Sequence, residues 1–314
     1  MRKFAAHFFL AVFLSLLITV SQQNPQVRAT SLAETIATRD WTAAISVDPT
    51  EDYAYVATTG SWIEKVDLSS SAVVDSLYTD PYGGLKDIVV SKNGLFAYVS
   101  SWSTNKVLQI DLATLTISAL YSVGVRPRGI TITADSQYVY VANTESNSIS
   151  KIDTTTSVVT SISVGDIPYD VSTDNNENVY VVDAGGQISR VSVTSNAVVL
   201  TRTVGQWMTD VAINTATGYA YALQYSGGNA PIYKIRLTDL VKVSEVAVAS
   251  GGVFVPANGL YVYTGLGMVR ASDMQVLANF DICAGISSCS KTSGVAVFGS
   301  TSTSEGFMLG SLFH

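Results

Sequence analysis

The sequence predicts an all-β protein, a seven-bladed β-propeller built from four-stranded antiparallel blades. One pattern recurs seven times at a spacing of 40 to 43 residues, and a period of this length is typical of propellers and solenoids. Each copy holds short apolar runs that alternate with polar residues, as half-buried strands do. The residues that open the first strand of the seven repeats are Ala44, Asp87, Gly129, Asp170, Asp210, Gly252 and Gly294.

The third repeat, which starts at Pro127, shows the four strands most clearly. Its apolar runs are ITI, YVYVA, ISKI and VVTSISV, each bounded by Asp, Ser, Asn or Gly. Turn residues between short alternating runs favour hairpins, so the four runs predict an antiparallel meander. Four strands per repeat of about 42 residues is the arrangement of a propeller blade.

Two runs of this repeat, Tyr138–Asn143 and Ile149–Asp153, resemble the repeat of the YVTN family of β-propellers. The first two repeats keep the first run as Tyr53–Ala57 and Phe96–Ser100. The resemblance covers residues 31–314 and implies a propeller. For function it implies only a range of roles, since such propellers serve as adhesins, surface-layer modules, lactonase-like enzymes and lyases. The resemblance is looser in blades four to six, where the Asp after the third strand is replaced by Ser192, Arg236 and Ala271.

Paired tyrosines in the second strands predict packing between blades. The runs that contain them are almost continuously apolar, as expected of a sheet covered on both faces by its neighbours. Large aromatic area suits such a contact, and each buried hydroxyl is expected to find a hydrogen-bond partner at a sheet edge. The pairs are Tyr53 and Tyr55, Tyr138 and Tyr140, Tyr219 and Tyr221, and Tyr261 and Tyr263.

The N-terminal segment predicts export. Two basic residues precede the apolar run Phe8–Val20, which is short for a membrane span and typical of a signal-peptide core. We therefore expect residues 1–22 to be a signal peptide, with cleavage at the latest after Ala29, and residues 31–314 to form one propeller domain. An uncleaved membrane anchor is the alternative. With cleavage, the mature protein has no membrane span and is secreted or held at the cell envelope.

Seven first strands are present, but the chain ends soon after the second strand of blade seven, Gly306–Phe313. Residues 31–38 stand before Trp41 as a fourth strand stands before the next blade. They are predicted to close the ring as the outer strand of blade seven, since open first and last blades would expose strand edges. The third strand of that blade is either Gln22–Val27 or absent.

Two cysteines, Cys283 and Cys289, are predicted to form a disulfide, which an exported protein keeps oxidised. The alternative is a redox or metal-binding pair. The spacing is not C-x-x-C, and no histidine stands near to complete a zinc site.

Charge and histidine content exclude several functional classes. The net charge of −7 argues against binding nucleic acid or anionic membranes by charge. Only His7 and His314 occur in the chain, so neither histidine catalysis nor a histidine metal cluster is available in the body of the propeller. Any enzyme would depend on carboxylates or on a metal.

Strand alternation assigns the loops to two faces. The connections into each first strand and those between second and third strands share one face, called here the first face. All tryptophans are predicted on it, and indoles in loops are enriched where proteins bind partners. Gap filling between blades is the alternative. The candidate partner-binding residues are Trp41, Trp62, Trp102, Trp207, Tyr82, Tyr169, Lys86 and Arg128.

Three aspartates, Asp87, Asp170 and Asp210, open first strands and are predicted to meet at the channel mouth on this face. Carboxylate oxygens bind calcium or position a water for hydrolysis. The alternative is that each accepts hydrogen bonds from loop amides or pairs with a nearby Lys or Arg.

Two functional hypotheses follow. The first is a secreted or cell-surface, non-catalytic module without a cofactor that binds a protein or glycan, or acts as a scaffold, through its Trp-bearing face. The second is a metal-dependent, lactonase-like hydrolase that uses the channel-mouth aspartates, with calcium as the candidate ion. A purely structural unit in a surface array is a third reading.

Overall fold

The computed structural model shows an all-β chain, as predicted. Within the described part every regular element is a strand, and no helix there is long and apolar enough to span a membrane. The structure describes residues 11–12, 15–16, 32–34, 36–174, 176–225, 229–249, 252–256, 258–264 and 267–279.

Six sheets of four antiparallel strands follow one another along residues 42–279, and in each sheet the strand order is the chain order. These are blades 1 to 6, and their repeats are those predicted from the sequence. The strands of blades 1 to 3 are Thr42–Val47, Tyr53–Thr58, Trp62–Asp67 and Ala72–Tyr78; Leu85–Val90, Phe96–Ser101, Lys106–Asp111 and Thr116–Ser122; Pro127–Ile132, Tyr138–Asn143, Ser148–Asp153 and Val159–Ser163. Those of blades 4 to 6 are Pro168–Thr173, Asn178–Asp183, Gln187–Ser192 and Ala197–Thr203; Met208–Asn214, Tyr219–Gln224, Asn229–Arg236 and Lys242–Ala249; Val253–Phe254, Tyr261–Thr264, Gly267–Arg270 and Gln275–Asn279.

The first strands of successive blades contact one another and surround the central axis. Most of them carry a β-bulge close to the first face, where one extra residue of the first strand opposes the second strand. Bulges turn side chains away from the regular alternation and often stand beside functional sites. The residues that open the first strands lie at this bulge.

The hydrophobic core consists of separate layers between neighbouring blades. Five clusters join blades 1 and 2, 2 and 3, 3 and 4, 4 and 5, and 5 and 6. Each layer contains one buried second-strand tyrosine. This confirms the predicted packing for three of the four pairs and shows the same packing in blades 2 and 4, whereas Tyr261 and Tyr263 lie in none of these five layers. The second-strand tyrosines buried in the layers are Tyr55, Tyr98, Tyr140, Tyr180 and Tyr221.

The other tyrosine of a pair covers a lysine that reaches the next blade. The Nζ of Lys151 lies 3.8 Å from the ring centre of Tyr138 and donates to the carbonyl of Val193 at 2.8 Å. Lys234 repeats this arrangement, lying 4.3 Å from the ring centre of Tyr219 and donating to a carbonyl of blade 6. The tyrosine pairs therefore combine apolar burial with a hydrogen bond between sheets.

The expectation that every tyrosine hydroxyl finds a partner is wrong for Tyr140 and Tyr221. Both hydroxyls are buried without a hydrogen-bond partner among the described residues. Burial between two sheets raises the pKa of Tyr221 to about 12. These side chains contribute through their rings, not through their hydroxyls.

The predicted ring closure falls partly outside the described residues. Leu32–Glu34 pairs with Ser15–Leu16, and Ala37–Thr38 pairs with Ala11–Val12, both antiparallel. Residues 280–314 lie outside the described part, so pairing with the C-terminal strands stays a prediction. The same holds for the disulfide between Cys283 and Cys289.

The inter-blade layer yields a matched test. Replacing Tyr140 by Ala should lower the free energy of unfolding by about 3–5 kcal/mol, because it removes a buried ring. Replacing it by Phe removes only the unpartnered hydroxyl and should be neutral or stabilising. Denaturant unfolding of the two variants measures both values, and a loss above about 1 kcal/mol in Tyr140→Phe would show that the hydroxyl is bonded.

Candidate functional site

The first face carries the four tryptophans, but only two of them are open to solvent. Trp41 and Trp207 are 43 % and 49 % exposed, whereas Trp62 and Trp102 are half-buried. Exposed indole leaves a large apolar area in water, which costs free energy unless a partner covers it. Of the indoles, Trp41 and Trp207 are therefore the ones presented for contact.

Trp62 and Tyr82 are turned towards the protein. Trp62 is the first residue of a third strand rather than a loop residue, and its ring centre lies 4.7 Å from that of Tyr78. The guanidinium of Arg39 lies 4.7 Å from the same indole. Tyr82 packs against the core between blades 1 and 2. Both side chains contribute to packing at the edge of the first face.

A repeated backbone contact supports the exposed side chains. In blades 1 to 5, the residue three positions before the opening residue accepts, through its carbonyl, an amide hydrogen bond from the connection after the second strand. Trp207 accepts from Tyr225 at 2.8 Å, and Ile167 accepts from Ala184 at 3.1 Å. The same bond forms at the equivalent positions in blades 1, 2 and 3, to Trp41, Gly84 and Arg126.

This position has left-handed backbone geometry. Its φ is +54° at Ile167 and +43° at Trp207, and +64° at the equivalent Gly84. Glycine adopts such a φ without steric cost, whereas a β-branched or bulky residue there is an outlier. The fold would favour glycine here, as at Gly84, yet blade 3 carries Arg126 with a φ of +57°, and blades 4 and 5 carry the large apolar residues Ile167 and Trp207. At Ile167 and Trp207 this geometry costs free energy, and both side chains are exposed rather than used in the core.

Together these side chains form an apolar rim around the first face. The exposed rings of Trp207 and Tyr225 lie 6.4 Å apart, and Ile167 is 41 % exposed on the neighbouring blade. Sequence reasoning missed Ile167 and Tyr225. Aligning the repeats three residues before the opening residue would have found Ile167. The rim consists of Trp41, Val125, Ile167, Trp207 and Tyr225.

Basic and aromatic side chains lie close to the opening residues of blades 2 and 3, at the predicted channel mouth. The Nζ of Lys86 lies 5.6 Å from the ring centre of Trp102, and the guanidinium of Arg126 lies 4.3 Å from the same ring. The guanidinium of Arg128 lies 4.7 Å from the ring centre of Tyr169. The structure thus brings together four of the predicted residues and adds Arg126, which sequence reasoning missed.

The three aspartates bind the next blade around the axis. Each carboxyl group accepts a main-chain amide from the first strand of the blade that neighbours it in space. Asp87 also accepts the amide of Ile88 at 2.8 Å. The inter-blade bonds join Asp87 to Ile130 at 2.8 Å, Asp170 to Val211 at 2.9 Å and Asp210 to Val253 at 2.9 Å.

The same carboxyl groups repel one another. Burial, followed by the charge of Asp170, raises the pKa of Asp87 to about 8. Asp170 and Asp210 hydrogen-bond each other; burial raises the pKa of Asp210 to about 6 and that of Asp170 well above its ordinary range. Each aspartate is enclosed by protein yet stays partly accessible to solvent, as expected beside a narrow channel. The cluster therefore holds protons near neutral pH.

Gly129 shows how closely the blades approach there. It takes the place of an aspartate in blade 3, and a Cβ added to it would lie 2.0 Å from the Oδ1 of Asp170. Any side chain at this position would displace the Asp170 carboxyl group. Gly129 of blade 3 and Asp170 of blade 4 are therefore sterically complementary.

The aspartates already use their oxygens for amides and for each other. Binding a cation would require them to give up protons and several of these bonds. Within the described residues, no group of three His, Cys, Asp or Glu side chains has an arrangement that could hold a metal ion.

Comparison with known proteins supports the propeller. Residues 63–173, about a third of the chain, match the family described as "Lactonase, 7-bladed beta-propeller". The family has the seven blades counted in the sequence. Among solved structures, the chain is similar to Kuenenia stuttgartiensis hydrazine synthase, with a TM-score of 0.62 and 18 % identity over 74 % of this chain and 78 % of that chain. No curated protein matches. The chain is thus a β-propeller protein, and the structural likeness at this identity shows the fold alone.

The carboxyl cluster predicts that stability falls as pH rises. The unfolded chain loses the Asp87 proton near the ordinary pKa of 3.8, whereas the folded chain keeps it up to about 8. The folded state therefore binds more protons between these values, and unfolding becomes easier with increasing pH. Thermal melts from pH 5 to pH 8 should show a declining Tm, by about 2–4 °C for each kcal/mol lost.

Two variants identify the source of this slope. Asp87→Asn does not titrate, so its Tm should be lower at pH 5, where an amide replaces an acceptor oxygen, but should decline less up to pH 8. Asp67→Asn is the control, because turn hydrogen bonds from Ser69 and Ser70 lower the pKa of Asp67 and its titration lies below this range. Equal slopes in wild type and Asp87→Asn would rule out Asp87 as the cause.

Proposed function

We propose that this propeller is a non-catalytic binding module, exported to the medium or the cell envelope, whose first face contacts a protein or glycan. The apolar rim supplies the contact. Trp41, Ile167, Trp207 and Tyr225 are exposed side chains on one face, contributed by several blades. Trp and Tyr contribute strongly to binding because they bury much area with few rotatable bonds.

The observation that carries this proposal is the left-handed backbone of two exposed rim residues, Ile167 and Trp207. Ile167 and Trp207 have φ values of +54° and +43° although glycine fits the equivalent turn at Gly84. A left-handed conformation costs a non-glycine residue about 1–2 kcal/mol. Large apolar side chains that add strain and exposed area weaken the free protein, and a bound partner would offset this cost by covering them.

Glycine substitutions test the rim without disturbing the fold. Ile167→Gly and Trp207→Gly should keep or raise the Tm, because glycine accepts the left-handed φ. The double variant should lose at least about tenfold in affinity, since two partner-facing side chains are worth more than 1.4 kcal/mol. Binding is measured with purified protein on a glycan array and on the surface of the producing cells.

The matched control removes apolar groups that are at least as exposed from the opposite face. Leu95 and Leu260 lie in connections between first and second strands and are both exposed. Leu95→Ala with Leu260→Ala should leave binding unchanged. A rim double variant that binds like wild type, or a control that loses binding equally, would contradict the use of the first face.

A second candidate function is lactone hydrolysis, favoured by the match of residues 63–173 to the lactonase propeller family. The hydrogen-bonded pair Asp170 and Asp210 has two carboxyl groups with different proton affinities. Such a pair suits acid–base catalysis, with Asp210 accepting a proton from water and Asp170 donating one to the leaving oxygen. Whether calcium assists is part of the test.

A panel of lactones, assayed by acid release with and without calcium, tests this candidate. Turnover should fall at least about 100-fold in Asp210→Asn, as expected for loss of a general base. Calcium bound at the channel should raise the Tm of wild type by mass action and not that of Asp210→Asn. No turnover of any lactone under either condition removes the candidate and leaves the rim proposal untouched.

A further inference from the structure

Lys86 and Arg128 form a pair of like charges at the channel mouth, called here the cationic pair. They occupy equivalent positions at the bulges of blades 2 and 3, one residue before the opening residue. The hydroxyl of Ser100 in blade 2 donates to the carbonyl of Arg128 at 2.6 Å, which fixes the two strands against each other. The arrangement places the two cations at equivalent positions on neighbouring, contacting first strands.

The cationic pair lacks carboxylate partners. Neither side chain forms an ion pair within the part of the chain that the structure describes, although five such pairs occur there between other residues. The neighbouring Arg126 does form one, with Glu145. The first strands that carry the two side chains contact each other, and burial followed by the charge of Arg128 lowers the pKa of Lys86. Like charges brought together and left unpaired destabilise the free protein.

One polar atom of the pair is also unpartnered. The Nε of Arg128 is buried and has no hydrogen-bond acceptor among the described residues. A buried guanidinium donor without an acceptor costs about 1–3 kcal/mol or more. The Asp87, Asp170 and Asp210 carboxyl groups do not supply it, because they bond to amides of the first strands and to each other.

We propose that Lys86 and Arg128 form a binding site for an oxyanion, a carboxylate or a phosphate, at the channel mouth. The planar guanidinium fork of Arg128 suits two oxygens of such a group, and the ammonium of Lys86 supplies a second charge. Trp102 and Tyr169, which lie beside the two cations, would bound the site with apolar surface. The site goes beyond the rim proposal and does not depend on it, since it uses different residues.

Calorimetric titration of the full chain at low ionic strength tests the site. Succinate and inorganic phosphate are the two probes, and neutral succinamide is the uncharged control. Saturable one-to-one binding of succinate, of phosphate, or of both supports the site, and the stronger of the two identifies the preferred oxyanion. Lys86→Gln and Arg128→Gln should each weaken binding about tenfold or more, since each removes a charged hydrogen-bond donor.

Two control variants test whether the loss of anion binding is specific to the cationic pair. One changes a positive charge elsewhere, and the other changes the rim. Lys92→Gln makes the same charge change in the connection between the first and second strands of blade 2, on the opposite face, and should bind like wild type. Trp207→Gly should also retain oxyanion binding. Failure of the rim experiment and failure of this one are therefore independent results.

A measurement on the unmodified protein covers variants that fail to fold. Phenylglyoxal modifies accessible arginines, and mass spectrometry locates the products. Succinate or phosphate should protect Arg128 but not the exposed Arg202 of a fourth strand. Absence of saturable binding by both probes, binding unchanged in Lys86→Gln and Arg128→Gln, or equal labelling of Arg128 with and without the anion would overturn the proposal.

Discussion

Packing between neighbouring blades is the interaction on which the rest of the structure depends. A single four-stranded sheet with two apolar faces is insoluble, and here each face is covered by the next blade. The layer between blades 3 and 4 shows the arrangement: Tyr140 is fully buried, and Lys151 lies on the ring of Tyr138 while bonding a carbonyl of the next blade. Because these layers hold the sheets, side chains such as Trp41 and Trp207 in the connections at the first face are not needed for the core, although Tyr82 packs against it. That freedom allows strained, exposed or charged residues to stand there.

Around the axis the same sheets are also joined by hydrogen bonds from main-chain amides to aspartate carboxyl groups. Asp87, Asp170 and Asp210 each stabilise a neighbouring amide, but their proximity makes full ionisation costly. Bound protons relieve this repulsion between the carboxyl groups, and they make the stability of the fold depend on pH. Gly129 leaves room for the Asp170 carboxyl group, so the cluster depends on the glycine of blade 3 as well as on the aspartates of the other blades. An acidic cluster of this kind has a structural explanation without any ligand, which is why the aspartates alone give weak support for catalysis.

How much the sequence predicts depends on whether a feature repeats. The period of about 42 residues predicted the blades, and the tyrosine pairs predicted the inter-blade layers, because each repeat meets the same neighbours. The side chains of Trp62 and Trp207 differ in exposure although both lie on the first face, since Trp62 has Tyr78 and Arg39 beside it and Trp207 stands at a left-handed turn. Such differences depend on individual neighbouring side chains. These neighbours do not recur from one repeat to the next, so the repeat pattern does not predict them. The bulges at Lys86 and Arg128 depend on strand register, which the repeat pattern does not predict either.

The two charge clusters on the axis differ in how they are satisfied, and this difference indicates where a ligand would bind. Adjacent residues of one bulge, Lys86 and Asp87, have separate surroundings: the lysine lies by Trp102, and the aspartate accepts two amides. The charge of the aspartate carboxyl groups is compensated within the fold, by amide hydrogen bonds and bound protons. The basic side is not, because Arg128 keeps a buried donor without an acceptor in the described structure. In a chain whose net charge is −7, two uncompensated cations at the open end of the channel mark the point where an anion gains most from entering.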